Sequence, residues 1–79
     1  MEIRFYAGAA DAAGTTTATL QAGDLTPQDL VHRLADGNPD LARVLACCSL
    51  LVDGRPVQDA TQPILASSRV DVLPPFAGG

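Results

Sequence analysis

Polar and apolar positions alternate over Glu2-Ile3-Arg4-Phe5-Tyr6, the pattern of a strand with one buried face, and Ile3 and Phe5 are the residues it turns inward. Ala7 to Gly14 is a run of small residues with glycines at both ends and reads as a loop. Thr15 to Leu20 is rich in β-branched threonine and predicts a second strand, paired to the first as a long-looped hairpin. The period then changes. Thr26 suits an N-cap, Pro27 the first helical position, and Asp29 the positive end of the helix dipole. Leu30, Val31 and Leu34 recur at helical spacing and predict a face packed on a sheet, with Gly37 as the stop.

Pro39-Asp40 opens a second, shorter helical segment carrying Leu41, Val44 and Leu45 on one face. Ser49 to Val52 reads as a strand, Asp53-Gly54 as a type I′ turn, and Arg55-Pro56-Val57 as a returning strand that its proline confines to an edge. Thr61 to Leu65 reads as a single helical turn. Arg69-Val70-Asp71-Val72-Leu73 alternates again as the last strand, and Pro74-Pro75 ends it by removing two backbone donors. The order predicts an α+β fold: a mixed sheet of about five strands packed on one main helix with a short second helix. In the ubiquitin-like β-grasp arrangement of such elements, the last strand runs beside the first in the middle of the sheet. Residues 1–73 form that domain and residues 74–79 an extended tail.

Composition narrows the function. A chain of 79 residues is one domain with a modest core and no room for a deep cleft between lobes. A carrier, adaptor or binding module is the expected class, and a catalytic role is left undecided. The five basic residues are all arginine, scattered along a chain of net charge −4, which argues against nucleic acid as a partner and for a protein with a basic docking surface. No apolar run reaches the roughly 20 residues that span a bilayer, and the start lacks the pattern of a signal peptide. A cytoplasmic protein without a membrane partner is the expectation. Cys47 and Cys48 are adjacent, which suits neither a disulfide framework nor zinc spacing; one is expected in the core and one at its edge.

The end of the chain carries the candidate chemistry. Pro74-Pro75 stiffen the exit from the sheet, Phe76 offers an apolar anchor, and Ala77-Gly78-Gly79 carry almost no side-chain bulk. Such a tail can deliver a terminal carboxylate into another protein's active site. With its Pro-Pro pair and Gly-Gly end, Val70 to Gly79 resembles the V-x-x-x-P-P-x-x-G-G terminus of the MoaD/ThiS sulfur-carrier family, particularly molybdopterin synthase small subunits. Phe5-Tyr6-Ala7, the capped Thr26-Pro27-Gln28-Asp29-Leu30 helix, the Leu51 to Val57 hairpin and Thr61-Gln62-Pro63-Ile64 fit as well, so the resemblance covers nearly the whole chain. It departs at Ser67-Ser68, where family members often have Asp-Gly, and the alanine-rich segment 7–14 does not choose a subfamily.

The resemblance implies that an adenylating enzyme of the ubiquitin-activating type joins the Gly79 carboxylate to AMP, using ATP that the carrier itself does not bind. A sulfur donor then converts the adenylate to a thiocarboxylate, and a molybdopterin synthase large subunit takes the sulfur. The small chain binds no cofactor or metal. Thiamine biosynthesis, another thiocarboxylate pathway and a ubiquitin-like protein modifier remain alternatives, as does a plain interaction domain. Strand parity turns Ile3, Phe5, Leu50, Val52, Val70 and Val72 toward the helix. It leaves Tyr6, Leu51 and Leu73 facing outward as a partner-binding patch continuous with Pro74, Pro75, Phe76, Ala77 and Gly78. His32 has no companion for metal or acid–base work, and Asp53, Asp59 and Asp71 read as dispersed surface aspartates.

Overall fold

The structure, a computed structural model, describes residues 1–75. Strands β1 (Glu2–Phe5), β2 (Thr17–Thr19), β3 (Ser49–Val52), β4 (Arg55–Pro56) and β5 (Arg69–Leu73) form one sheet in the order β2-β1-β5-β3-β4. The centre is parallel, with Ile3 opposite Val70 and Phe5 opposite Val72. The other pairings, β1 with β2, β3 with β4 and β3 with β5, are antiparallel. The first and last strands thus lie side by side at the middle of a mixed sheet, as the element order predicts. β4 sits at an edge, where Pro56 need not donate to a neighbour.

Helices α1 (Ala7–Ala13), α2 (Pro27–Ala35) and α3 (Pro39–Leu45) supply the other layer. Ile3, Phe5, Val70 and Val72 from the central strands meet Ala9 of α1, Leu30 of α2, and Leu41 and Leu45 of α3 in one core that Ile64 completes. Leu50 and Val52 pack against it from β3. The start of α2 follows its sequence signals: the Asp29 backbone N–H donates to Thr26 Oγ1 at 3.2 Å, and Pro27 occupies the first turn. Asn38 caps α3 by accepting from the Leu41 N–H at 3.0 Å, while its Nδ2 donates to the Ala12 carbonyl at 2.9 Å. One side chain therefore starts α3 and ties it to α1.

Four expectations need correction. Residues 7–13 are a helix rather than a loop: five of the seven are alanine, the strongest helix former, and the run stops at Gly14 in the left-handed conformation. The second strand is shorter than Thr15 to Leu20, because Thr15 Oγ1 engages the Thr17 backbone and makes a local turn before β2 begins. Thr61 to Leu65 is not helical. Asp59 Oδ1 accepts from the Thr61 N–H and hydroxyl in a local turn, and Ile64 exchanges two backbone hydrogen bonds with Leu25, an isolated bridge in place of a helical turn. Neither cysteine lies in the core: Cys48 is half-buried at its edge, and Cys47 is exposed beyond the last turn of α3.

The Asp53-Gly54 turn has φ of 50° and 83°, the positive values a type I′ turn requires. Asp53 also fastens the start of β5, its N–H donating to the Arg69 carbonyl at 2.9 Å and its Oδ1 accepting from the Arg69 N–H at 3.0 Å. The Arg69 N–H, then the Ser68 hydroxyl and the Arg69 charge, hold the Asp53 carboxyl below the usual carboxylate range. A depressed folded pKa contributes stability that is present above the unfolded value, about 3.9, and is lost as pH falls through the folded value. Urea unfolding across that acid window is expected to show a shallower loss of stability for Asp53→Asn than for the parent. Asn38→Ala removes a cap and the tie to Ala12, and equilibrium unfolding is expected to register a cost of about 1–2 kcal/mol.

Candidate functional site

The candidate site is built around β5, because its last residue leads into the tail. Val70 and Val72 are fully buried, so alternation along the strand puts Arg69, Asp71 and Leu73 on the sheet face away from the helices. β1 and β3 flank β5 and carry that face outward on both sides. Arg4 stands opposite Asp71 from β1; Leu51 stands opposite Asp71, and Ser49 opposite Leu73, from β3. Tyr6 follows β1 as the N-cap of α1, and its backbone N–H donates to the Val72 carbonyl at 3.2 Å. This bond extends the β1–β5 ladder by one residue and brings Tyr6 beside Leu73.

Tyr6, Leu51 and Leu73 therefore share one face on adjacent strands, beside the point where Pro74 and Pro75 leave β5. They differ in exposure. Tyr6 is 40% exposed, whereas Leu51 and Leu73 are half-buried and take no part in the core. Pro74 is half-buried and Pro75 exposed, both outside any regular element. Phe76, Ala77, Gly78 and Gly79, which complete the candidate set, lie outside the described residues.

Asp71 does not fit the reading of a dispersed surface aspartate. It is only 9% exposed although it faces outward, and its Oδ1 is shielded from solvent with no hydrogen-bond partner among the described residues. The sequence signal for it was a charge set between two β-branched residues in the last strand. Asp53 and Asp59 are exposed as expected, each engaged in a local turn.

Other chemistry is weaker. Burial, and secondarily the neighbouring Cys47, raise the Cys48 thiol above its ordinary value, which disfavours the nucleophilic thiolate. His32 is exposed on α2 near Asp29 and Asp36, and no group of three or more metal-ligating side chains converges among the described residues. No described helix is long and apolar enough to cross a membrane. A groove of about 400 Å³ lined by Val52, Arg55, Val57, Gln58 and Ile64 lies by the Val70 end of β5, opposite the tail exit.

Comparison with known proteins agrees with this fold. The ThiS family model matches residues 3–79, and a comparison with curated proteins finds no match. Among solved structures, small archaeal modifier protein 1 (SAMP1) from Haloferax volcanii superposes with a TM-score of 0.81 at 26% identity, covering 100% of this chain and 98% of that one. The Methanosarcina acetivorans protein of the same name gives a TM-score of 0.80 at 21% identity, covering 99% and 94% of the two chains. The complex of subunits 1 and 2 of molybdopterin-converting factor from Helicobacter pylori gives 0.69 at 19% identity, covering 99% and 96%. All three share the ubiquitin-like fold.

The outer-face residues are expected to be dispensable for folding. Tyr6→Ala should cost less than about 1 kcal/mol in urea unfolding, whereas Leu30→Ala, at a fully buried position, should cost about 2–5 kcal/mol.

Proposed function

The chain belongs to the ThiS family of ubiquitin-like sulfur carriers, and from that premise we propose that it is the small, sulfur-donating subunit of molybdopterin synthase. Its reactive group is the carboxylate of Gly79 in the mature protein. The observation that carries the reading is the family match running through residue 79, together with a last strand that hands the chain to Pro74-Pro75 beside an apolar face.

The chemistry explains why such a chain needs partners. A carboxylate is a poor electrophile because its negative charge repels nucleophiles. In the proposed cycle an adenylating enzyme supplies ATP; a Gly79 oxygen attacks the α-phosphorus, and pyrophosphate leaves. A sulfide-equivalent donor then attacks the acyl carbon, the new C–S bond forms, and the C–O bond to AMP breaks. The resulting thiocarboxylate is carried into the synthase large subunit, whose own residues complete the transfer. This chain contributes positioning and one reactive end, and positioning alone removes much of the entropic cost of a bimolecular step. The cytoplasm is the compartment this cycle needs, since it depends on ATP.

A second reading is favoured by the likeness to the Haloferax small archaeal modifier at 26% identity over the full chain. In a modifier, a target lysine captures the activated Gly79 instead of sulfur. Thiamine biosynthesis would use the same tail and the same thiocarboxylate.

Intact-mass measurement of the carrier purified from its own cells separates these outcomes. The mass shift of one sulfur replacing one oxygen at Gly79 is expected, and deletion of Gly79 should abolish it together with molybdopterin synthesis. Gly-Gly remnants on lysines of other proteins, with no thiocarboxylate, would overturn the carrier reading in favour of the modifier.

A further inference from the structure

The outer face holds one group that the tail chemistry does not use. Asp71 sits at the middle of the sheet, flanked by β1 and β3, and that position accounts for its 9% exposure. Its Oδ1 has no hydrogen-bond donor among the described residues. An unpaired buried acceptor costs about 1–3 kcal/mol, and more when charged, so its place at the centre of a surface calls for an explanation.

The donor does not come from within the described chain. Leu51, its neighbour on β3, has none to give. Arg4, its neighbour on β1, places Nε 3.7 Å from Glu2 Oε1, with its side chain 46% exposed. Arg69 lies two residues back on the same face, and among the described residues no ion pair joins either arginine to Asp71. On the outer face the carboxylate stands between Arg4 and Leu51 of the flanking strands, with Arg69 and Leu73 on either side along β5 and Tyr6 beside Leu73, one step from the exit of the tail.

We infer that Asp71 is the polar anchor of a protein-docking face, accepting a pair of charge-assisted hydrogen bonds from an arginine of the adenylating partner. Arginine is the cation that fits. Its planar fork addresses both carboxylate oxygens, it keeps its charge on burial, and it is less strongly hydrated than an ammonium group. The terminal torsion of an aspartate is broad, so a turn short of a full exchange brings both oxygens toward the outer surface, where a fork can reach them. The net charge of −4 steers a basic surface toward this chain. Continuity with Pro74 matters equally: an enzyme that takes the tail to its active site must cover the face beside it. The inference rests on the sulfur-carrier reading for the identity of the partner.

The test is ATP–pyrophosphate exchange catalysed by the adenylating enzyme purified from the same organism, with carrier concentration varied. Asp71→Asn should raise the KM for the carrier about tenfold or more while leaving kcat within about twofold, the pattern of lost docking rather than lost chemistry. Deleting Gly79 should abolish exchange altogether. In the free carrier, Asp71→Ala should unfold at no lower urea concentration than the parent, since it removes an unpaired charge. An unchanged KM for Asp71→Asn alongside active wild-type carrier would overturn the anchor and leave the carrier reading standing. So would a loss of stability in Asp71→Ala that is non-additive with Arg4→Ala, because that would make Arg4 the missing donor. Wild-type carrier that supports no exchange would overturn the carrier reading and the anchor with it.

Discussion

The parallel pairing of β1 with β5 is the constraint on which the rest depends. It joins the two ends of the chain at the centre of the sheet, and four of the buried core residues, Ile3, Phe5, Val70 and Val72, come from it. A parallel pair needs a long crossover, and everything from α1 through β4 is that crossover. A last strand at an edge would release the tail at the rim. Placed in the centre, it releases the tail beside the broadest part of the outer face, with structure on both sides. Covering one side with helices leaves the other free, so the same pairing that builds the core also displays Asp71 and Leu73.

That arrangement sets two requirements against each other along β5. The inward residues must be apolar and branched, which Val70 and Val72 satisfy at zero exposure. The outward residues lie between neighbouring strands and lose most of their water as well. Leu73 tolerates this because it is apolar. Asp71 does not, and its unpaired oxygen measures the mismatch. Arg69 escapes because it stands at the strand's start, where its backbone is fastened by Asp53 and its side chain reaches solvent. Burial at a central strand therefore differs from burial in a core: neighbouring strands shield an outward group from water without supplying it with donors.

Where local chemistry and tertiary demand agree, the elements were legible in the sequence. The Thr26-Pro27 cap, the Asp53-Gly54 turn and the alternation of Arg69 to Leu73 each have a local cause, and each stands where its pattern put it. The Ala7 to Gly14 segment was misread because its glycines outweighed its alanines. A pattern of small residues has no amphipathic period, and α1 is buried mainly through Ala9. Residues 61–65 were misread because a long-range partner, Leu25, decides their backbone, and local propensity says nothing about such pairing. Parity placed Tyr6, Leu51 and Leu73 on one face, since a period of two needs no tertiary knowledge. The burial of Asp71 follows from that parity combined with the central place of the last strand, where neighbours on both sides close in an outward side chain.

The same geometry bears on how a carrier of this kind is told apart by its partners. The end of the tail, Ala77-Gly78-Gly79, has almost no side chains, so it fits a narrow channel but gives a partner little to discriminate. Specificity is a difference of affinities and must come from groups that vary, and those are on the folded domain. The outer face of β1, β5 and β3 is continuous with the tail exit. There the apolar residues supply area, which many partners can match. A shielded carboxylate discriminates more sharply: a partner that offers it no donor inherits the cost of an unpaired charge, and one that brings a guanidinium removes that cost. Selectivity then rests on a penalty already present in the free chain, with the reactive end itself left plain.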